Sequence, residues 1–130
     1  MKQVFLVDDE YFAVEGLKKF VNWEKYDLTV CGEAYDGKTA LQNIESLQPD
    51  IVFTDVRMPG LNGLELIARA KTLVPQCLFV IISGYNEFDY ARKALRLGVL
   101  DYIDKPVNLE KLDAVLKRID DVFRNRNRKL

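Results

Sequence analysis

Most residues of this sequence that could carry chemistry directly follow short apolar segments. In chain order they are Asp8, Asp9, Asp55, Ser83 and Lys105. Carboxylates, a hydroxyl and an amine can together bind a hard divalent cation, accept a phosphoryl group and hold its oxygen atoms. Taken singly, each has an ordinary structural explanation, because Asp and Ser commonly cap helices and a Lys-Pro pair commonly forms a turn.

The composition narrows this chemistry, because the 130 residues include no histidine. That absence excludes Ser-His-Asp and Cys-His nucleophiles, zinc sites with histidine ligands and phosphohistidine on this chain. Phosphoryl or acid–base chemistry must therefore use carboxylates, hydroxyls and lysines. The two cysteines, Cys31 and Cys77, are far apart and form no C-x-x-C motif. We expect reduced core thiols in a cytoplasmic protein without a membrane segment.

The charge distribution predicts one domain with a short tail. Residues 123–130 carry four basic residues and no acidic one, which leaves 15 basic against 20 acidic residues in 1–122. A mildly acidic body is not typical of a nucleic-acid-binding domain. No repeat or linker interrupts residues 1–122. We predict a domain over 1–122 and a basic tail over 123–130 that begins a linker.

Five apolar segments alternate with stretches of helical periodicity. The predicted strands are 4–7, 28–31, 51–54, 78–82 and 99–103. The first, third and fourth are apolar throughout, which is typical of strands covered on both faces. The apolar positions of the predicted helices, among them Phe20, Leu47, Leu95 and Leu109, are expected to face the core.

Alternation of strand and helix predicts an α/β fold: a doubly wound, five-stranded parallel sheet, (βα)5, with helices on both faces. In the flavodoxin-like strand order 2-1-3-4-5, the first and third strands are neighbours, which brings Asp8 and Asp9 close to Asp55 at the ligand-binding edge. Two carboxylates ~4 Å apart repel by about 4 kcal/mol at an effective dielectric constant near 20. Such a cluster indicates Mg²⁺ or Mn²⁺, with one carboxylate available as a phosphoryl acceptor.

This constellation resembles the receiver domain of two-component response regulators over residues 1 to about 122. The matching positions, in family order, are Asp8, Asp9, Asp55, Ser83, Tyr102, Lys105 and Pro106. The resemblance implies a phosphorylation-activated switch in which Asp55 accepts a phosphoryl group from a sensor histidine kinase. It implies a regulatory phosphoacceptor that catalyses only its own phosphorylation and dephosphorylation. Mg²⁺ would be held by Asp8, Asp9, Asp55 and the backbone carbonyl of Arg57.

The resemblance also implies roles for residues around the acceptor. Ser83 and Lys105 would bind the phosphoryl oxygens, and the bond from Lys105 to Pro106 would be cis. Ser83 and Tyr102 would couple phosphorylation to the surface of the fourth helix, fifth strand and fifth helix. We expect a phosphorylation-dependent homodimer through the face of the fourth and fifth helices.

Two further positions would set rates. Arg57 and Tyr85 lie two residues beyond Asp55 and Ser83, where side chains of the family vary and tune phosphorylation and hydrolysis. Arg57 could equally pair with a site carboxylate or point to solvent.

A narrower resemblance concerns the effector. The sequence over 83–91 and 97–102, with Trp23, is similar to receivers fused to AraC-type DNA-binding domains. It implies that a DNA-binding domain, absent from this sequence, follows the receiver and regulates transcription.

Three alternative functions would each require a residue pattern that differs from this sequence. A flavodoxin-like cofactor binder needs a Gly/Ser/Thr-rich loop after the first strand, where this chain has Asp8, Asp9 and Glu10. An Asp-nucleophile phosphatase has two aspartates separated by one residue, whereas Asp8 and Asp9 are adjacent. An inactive receiver-like module would lack at least one of Asp9, Asp55 and Lys105, and all three are present.

Overall fold

Strands and helices alternate along the whole computed structural model, which describes residues 1–84 and 88–128. The strands are β1 (Lys2–Val7), β2 (Leu28–Ala34), β3 (Ile51–Thr54), β4 (Leu78–Ser83) and β5 (Asp101–Asp104). The helices are α1 (Tyr11–Phe20), α2 (Gly37–Leu47), α3 (Gly63–Leu73), α4 (Phe88–Arg96) and α5 (Leu109–Arg128), and a 3₁₀ helix (Trp23–Tyr26) precedes β2. β2 ends three residues later than predicted from the sequence, and β5 begins two residues later.

The five strands form one parallel sheet in the order β2-β1-β3-β4-β5. This order confirms the predicted doubly wound fold. β1 and β3 are neighbours, and Val7 at the end of β1 pairs with Thr54 at the end of β3. The residues that follow these strands therefore emerge side by side at the carboxyl edge of the sheet.

The sheet is covered on both faces, as the uniformly apolar strands predict. One core lies between the sheet and α1 and α5, and the other between the sheet and α2, α3 and α4. All four residues of β3 are buried. Side chains also fix the starts of two helices: Asp36 caps α2, and Asn62 forms a capping box with Glu65 at the start of α3. These caps satisfy backbone N–H groups that a helix leaves unpaired at its first turn.

Four residues expected in the core lie at the surface, and those predictions were wrong. Their exposed fractions are 78% for Phe20, 42% for Leu47, 75% for Leu95 and 66% for Leu109. Each lies in the first or last turn of its helix. Helical periodicity identifies the face of a helix but not where along its length the contact with the sheet ends. In α1 the fully buried side chain is Val14.

The fifth helix continues past the boundary that composition predicts at residue 122. Phe123 extends the apolar row of α5 and is 8% exposed. The charged groups of Lys2 and Arg126 lie 5.2 and 5.6 Å from the centre of its ring, and Arg126 Nη1 donates to the carbonyl of Gln76 at 2.9 Å. The last turns of α5 thus pack on the amino end of the sheet.

Candidate metal centre

Three carboxylates meet at the carboxyl edge of the sheet, as the strand order requires. Asp8 and Asp9 follow β1, Asp55 follows β3, and one oxygen from each lies within 4.8 Å of the others. Asp8 and Asp55 are buried, at 5% and 8% exposure, while Asp9 is exposed. The cluster therefore has two inner carboxylates and one that faces solvent.

Backbone hydrogen bonds fix the two inner carboxylates. The N–H of Asp55 donates to the carbonyl of Val7 at 3.0 Å, which ties the end of β3 to β1. The N–H of Asp8 donates to the carbonyl of Ala34 at 3.2 Å, and the N–H of Glu10 donates to Asp8 Oδ1 at 3.0 Å. With Oδ1 engaged in this way, Asp8 directs Oδ2 to the centre of the cluster.

Lys105 brings a positive charge to these carboxylates. It follows β5, and its Nζ reaches across the end of β4 to Asp55 Oδ2 at 3.0 Å and Asp8 Oδ2 at 3.1 Å. Its backbone N–H donates to the carbonyl of Ser83 at 2.8 Å, and the Lys105–Pro106 bond is cis. One ammonium group thus bridges the carboxylates that emerge from two neighbouring strands.

The proximity of these groups perturbs their proton affinities. Burial raises the pKa of Asp55, against the opposing effect of the hydrogen bond from Lys105, and the charge of Asp8 raises it further. Desolvation, and then the charge of Asp8, raises the pKa of Asp9. Burial disfavours the charged form of Lys105, but hydrogen bonds to Asp55 and Asp8 outweigh it, so the pKa of Lys105 is raised. The lysine stays cationic, while burial and neighbouring negative charge raise the pKa values of Asp55 and Asp9.

The remaining predicted residues surround this cluster at different depths. Ser83 ends β4 and is 1% exposed, and it pairs in register with Asp104 of β5. Tyr102 of β5 is half-buried against the core on the α2, α3 and α4 side. Arg57 is exposed and lines a cleft with Asp9. Tyr85 lies outside the described residues.

Two contacts at Asp55 were not anticipated from the sequence. The hydroxyl of Thr54, buried at the end of β3, donates to the carbonyl of Asp55 at 2.9 Å. Gly63, the first residue of α3, packs against the same carbonyl so closely that an added Cβ would lie 2.0 Å from its oxygen. The one sequence feature that could have identified Thr54 is that it is a polar residue at the end of an apolar strand.

The donor set fits a hard divalent cation. All three side chains offer carboxylate oxygens, and the two buried ones cannot be fully solvated by water. Mg²⁺ takes oxygen ligands and keeps several waters, which the exposed position of Asp9 allows. The cluster therefore suits Mg²⁺ or Mn²⁺. Carboxylates would bind the cation on the protein side, and its solvent side would remain open to water.

Comparisons with known proteins point to one family. The family model described as "Response regulator receiver domain" matches residues 4–117. The uncharacterized transcriptional regulatory protein YesN of Bacillus subtilis is 39% identical over 92% of this chain and 34% of its own length. The transcriptional regulatory protein HptR of Staphylococcus aureus is 38% identical over 92% of this chain and 46% of its own length. The chain thus spans between a third and a half of these curated relatives.

A solved structure gives the same result in three dimensions. The REC domain of AraT, a response regulator from Geobacillus stearothermophilus, superposes with a TM-score of 0.91 at 33% identity. The similarity covers 97% of this chain and 98% of that domain. The likeness therefore extends over the whole fold, including the strand ends that carry the carboxylates.

Proposed function

The chain belongs to the response regulator receiver domain family, and we propose that Asp55 is the residue at which this phosphorylation-activated switch accepts a phosphoryl group. The observation that carries the proposal is the position of Asp55 among the carboxylates of Asp8 and Asp9 and the ammonium of Lys105. Receiver domains are regulatory phosphoacceptors and not enzymes with a separate substrate. The donor that we propose is a phosphohistidine on a sensor histidine kinase.

In the proposed transfer, a carboxylate oxygen of Asp55 forms a bond to phosphorus. The bond from phosphorus to the histidine nitrogen of the donor breaks, and that nitrogen keeps the electron pair. Lys105 Nζ is already 3.0 Å from Asp55 and binds the transferred oxygens with little movement. Preorganised charge of this kind is the main protein contribution to phosphoryl transfer, so no histidine on this chain is required.

We propose that Asp8, Asp9, Asp55 and the backbone carbonyl of Arg57 hold Mg²⁺. When bound, the cation supplies the positive charge that offsets repulsion between the carboxylates and the phosphoryl oxygens. Asp8 and Asp55 offer it buried oxygens, and Asp9 completes the group from the solvent side. The same residues would accept Mn²⁺, which shares the preference for oxygen ligands.

The switch would begin at Ser83 and pass to Tyr102. The Ser83 hydroxyl is buried at the end of β4 and would move toward a phosphoryl oxygen, since phosphorylation adds roughly −1.5 to −2 charge. Tyr102 lies half-buried on the neighbouring strand, and its ring would turn inward once Ser83 has moved. Arg57, and Tyr85 beyond Ser83, would set the rates of phosphorylation and hydrolysis.

The output would be a transcription-regulating domain in the same protein. Relatives named transcriptional regulators are two to three times the length that this chain matches. We propose that an AraC-type DNA-binding domain follows α5 and that the basic residues after 122, which up to Arg128 lie in the last turns of α5, lead into the connection to it. The receiver itself would not contact DNA.

Phosphorylation would also favour a homodimer through α4, β5 and α5. This surface carries Tyr102, the exposed Leu95 and an ion pair of 2.7 Å between Arg118 and Asp101. Moving an equilibrium from 1:99 to 99:1 requires about 5.5 kcal/mol, so the shift is expected to be partial for the receiver alone. Sedimentation with and without a phosphoryl mimic tests it, and equal masses at all concentrations would refute the dimer.

We place the domain in the cytoplasm. None of the helices in residues 1–84 and 88–128 has the length and apolar character of a membrane span. Cys31 and Cys77 are both free thiols, which suits a reducing compartment.

The proposal is tested by incubating the protein with acetyl phosphate and measuring its intact mass with and without Mg²⁺. The unchanged protein should gain one phosphoryl group only when Mg²⁺ is present, and Asp55→Asn should gain none. Asp121→Asn, an exposed residue of α5, is the matched control and should behave as the unchanged protein. A phosphoryl adduct on Asp55→Asn would refute the assignment.

A further inference from the structure

Gly37 makes a backbone contact that no other residue could make. It is the first residue of α2, is buried, and lies so close to Leu61 that an added Cβ would be 2.1 Å from the Leu61 oxygen and 2.9 Å from its Cβ. Real Cβ contacts are never this short, so either α2 or the chain at Leu61 would have to move. The φ angle of Gly37 is not positive, and the contact alone accounts for the need for glycine.

Leu61 belongs to the loop over residues 56–62 that joins β3 to α3 beside the carboxylate cluster. The loop is anchored in the core, because Val56 and Met58 are buried there at 1% and 8% exposure. Its far end is held by the N–H of Gly63, which donates to the carbonyl of Val56 at 2.8 Å. The contact with α2 at Leu61 is a further restraint on the outer part of the loop, beside the capping box that Asn62 forms with Glu65.

The outer part of this loop faces the exposed member of the carboxylate cluster. Asp9 and Arg57 line one cleft together with residues 58–60 and Asn62. Leu61 is flanked by Gly60 and Asn62, which both line this cleft, so a shift of Leu61 away from α2 would move the loop relative to Asp9. Gly37 lies 18 residues before Asp55 in the sequence and touches none of the three carboxylates.

We infer that Gly37 is a positioning residue for metal binding. Because Gly37 has no side chain, the Leu61 carbonyl can lie against the start of α2, and this contact sets the path of the 56–62 loop relative to Asp9. The inference rests on the proposed function, in which the Arg57 carbonyl and Asp9 are metal ligands. Residues that orient metal ligands from a distance typically change affinity 10–100-fold when they are altered.

Gly32 provides a control for crowding in general. An added Cβ there would lie 3.1 Å from a ring carbon of Phe5 and 3.3 Å from a side-chain carbon of Leu47, so Gly32→Ala requires these side chains to shift by a few tenths of an ångström. Its neighbours belong to β1 and the end of α2 and do not include the loop. Gly60 provides the converse control, because its φ is +73° and nothing lies within 4 Å of an added Cβ. Gly60→Ala strains the loop from within and leaves α2 alone.

The test measures Mg²⁺ affinity by titration calorimetry and, separately, the melting temperature without metal. Gly37→Ala should bind Mg²⁺ about tenfold more weakly than the unchanged protein, whereas Gly32→Ala should lose thermal stability and keep its affinity. Gly60→Ala should also weaken Mg²⁺ binding. If Gly37→Ala fails to fold, the affinity of Gly60→Ala shows whether the path of the loop controls metal binding. Unchanged affinity in Gly37→Ala, or in Gly60→Ala, would overturn the inference, as would an equal loss of affinity in Gly32→Ala.

The result for the unchanged protein separates the two claims. If it binds Mg²⁺ and is phosphorylated while the glycine variants match it, the inference is wrong and the proposed function stands. If the unchanged protein binds no Mg²⁺, the proposed metal site is wrong and the role of Gly37 is refuted with it.

Discussion

Lys105 Nζ lies 3.0 Å from Asp55 Oδ2 and makes a second contact of 3.1 Å to Asp8 Oδ2. This one ammonium group partly neutralises two buried carboxylates that would otherwise repel each other. In the proposed function the same group would also bind phosphoryl oxygens at Asp55. The stability of the site and its proposed chemistry therefore both depend on Lys105, and substitutions can test each of them.

Replacing this lysine by methionine should affect both properties. Lys105→Met removes hydrogen bonds to charged partners, each worth about 1.5–3 kcal/mol, and leaves Asp8 and Asp55 buried without a cation. We expect a lower melting temperature without metal and phosphorylation by acetyl phosphate slowed at least about tenfold. Lys117→Met, which removes an exposed ion pair with Asp113, should change neither. Normal phosphorylation of Lys105→Met would show that Lys105 does not assist the transfer.

Substituting the exposed carboxylate should separate metal binding from stability. Asp9→Asn removes a negative charge beside Asp8 and Asp55, whose repulsion contributes to the raised pKa of Asp9. The metal-free protein should become slightly more stable, while the rise in melting temperature produced by Mg²⁺ should largely disappear. Thermal melting with and without Mg²⁺ measures both effects. A full Mg²⁺ response in Asp9→Asn would exclude Asp9 as a ligand.

Shortening the chain should show how far the folded domain extends. A chain ending at residue 122 loses the buried ring of Phe123 and the bond from Arg126 to Gln76. Removing a buried Phe side chain typically costs about 3–5 kcal/mol, so this chain should unfold at distinctly lower urea concentration. A chain ending at Arg128 is the control and should match the full sequence. Equal unfolding of the two would place the end of the packed domain at 122.

The two cysteines should differ in reactivity. Burial raises the pKa of the Cys77 thiol to about 12, so at pH 8 only about one molecule in ten thousand carries the reactive thiolate. Iodoacetamide should therefore modify the half-buried Cys31 first and reach Cys77 only after unfolding. Peptide mapping of the alkylated native protein measures this order. Early modification of Cys77 would mean that the core on this side opens readily.

The sequence was sufficient for the strands and for the residues at their ends, because apolar strands and the polar residues that end them are local features. The strand order 2-1-3-4-5 came from the flavodoxin-like topology, and the structure confirms it. It predicted that Asp8, Asp9 and Asp55 converge and that Lys105 lies in the same crevice, and the structure brings them together. This prediction follows from the parallel topology, because the carboxyl ends of all the strands lie at one edge of the sheet.

Features that depend on distance in space were not predictable in this way. Helical periodicity placed Phe20 and Leu109 in the core, although the ends of α1 and α5 leave them exposed. The contact between Gly37 and Leu61 joins segments that no local pattern relates.

The central claim is that Asp55 is the phosphoryl acceptor, and the most direct measurement identifies the modified residue chemically. The protein is phosphorylated with acetyl phosphate and Mg²⁺, reduced with borohydride, which converts an aspartyl phosphate to homoserine, and mapped by peptide mass spectrometry. The account predicts homoserine at position 55, with Asp8 and Asp9 unchanged. Homoserine at position 8 or 9, or phosphate retained on Ser83 with Asp55 intact, would contradict it.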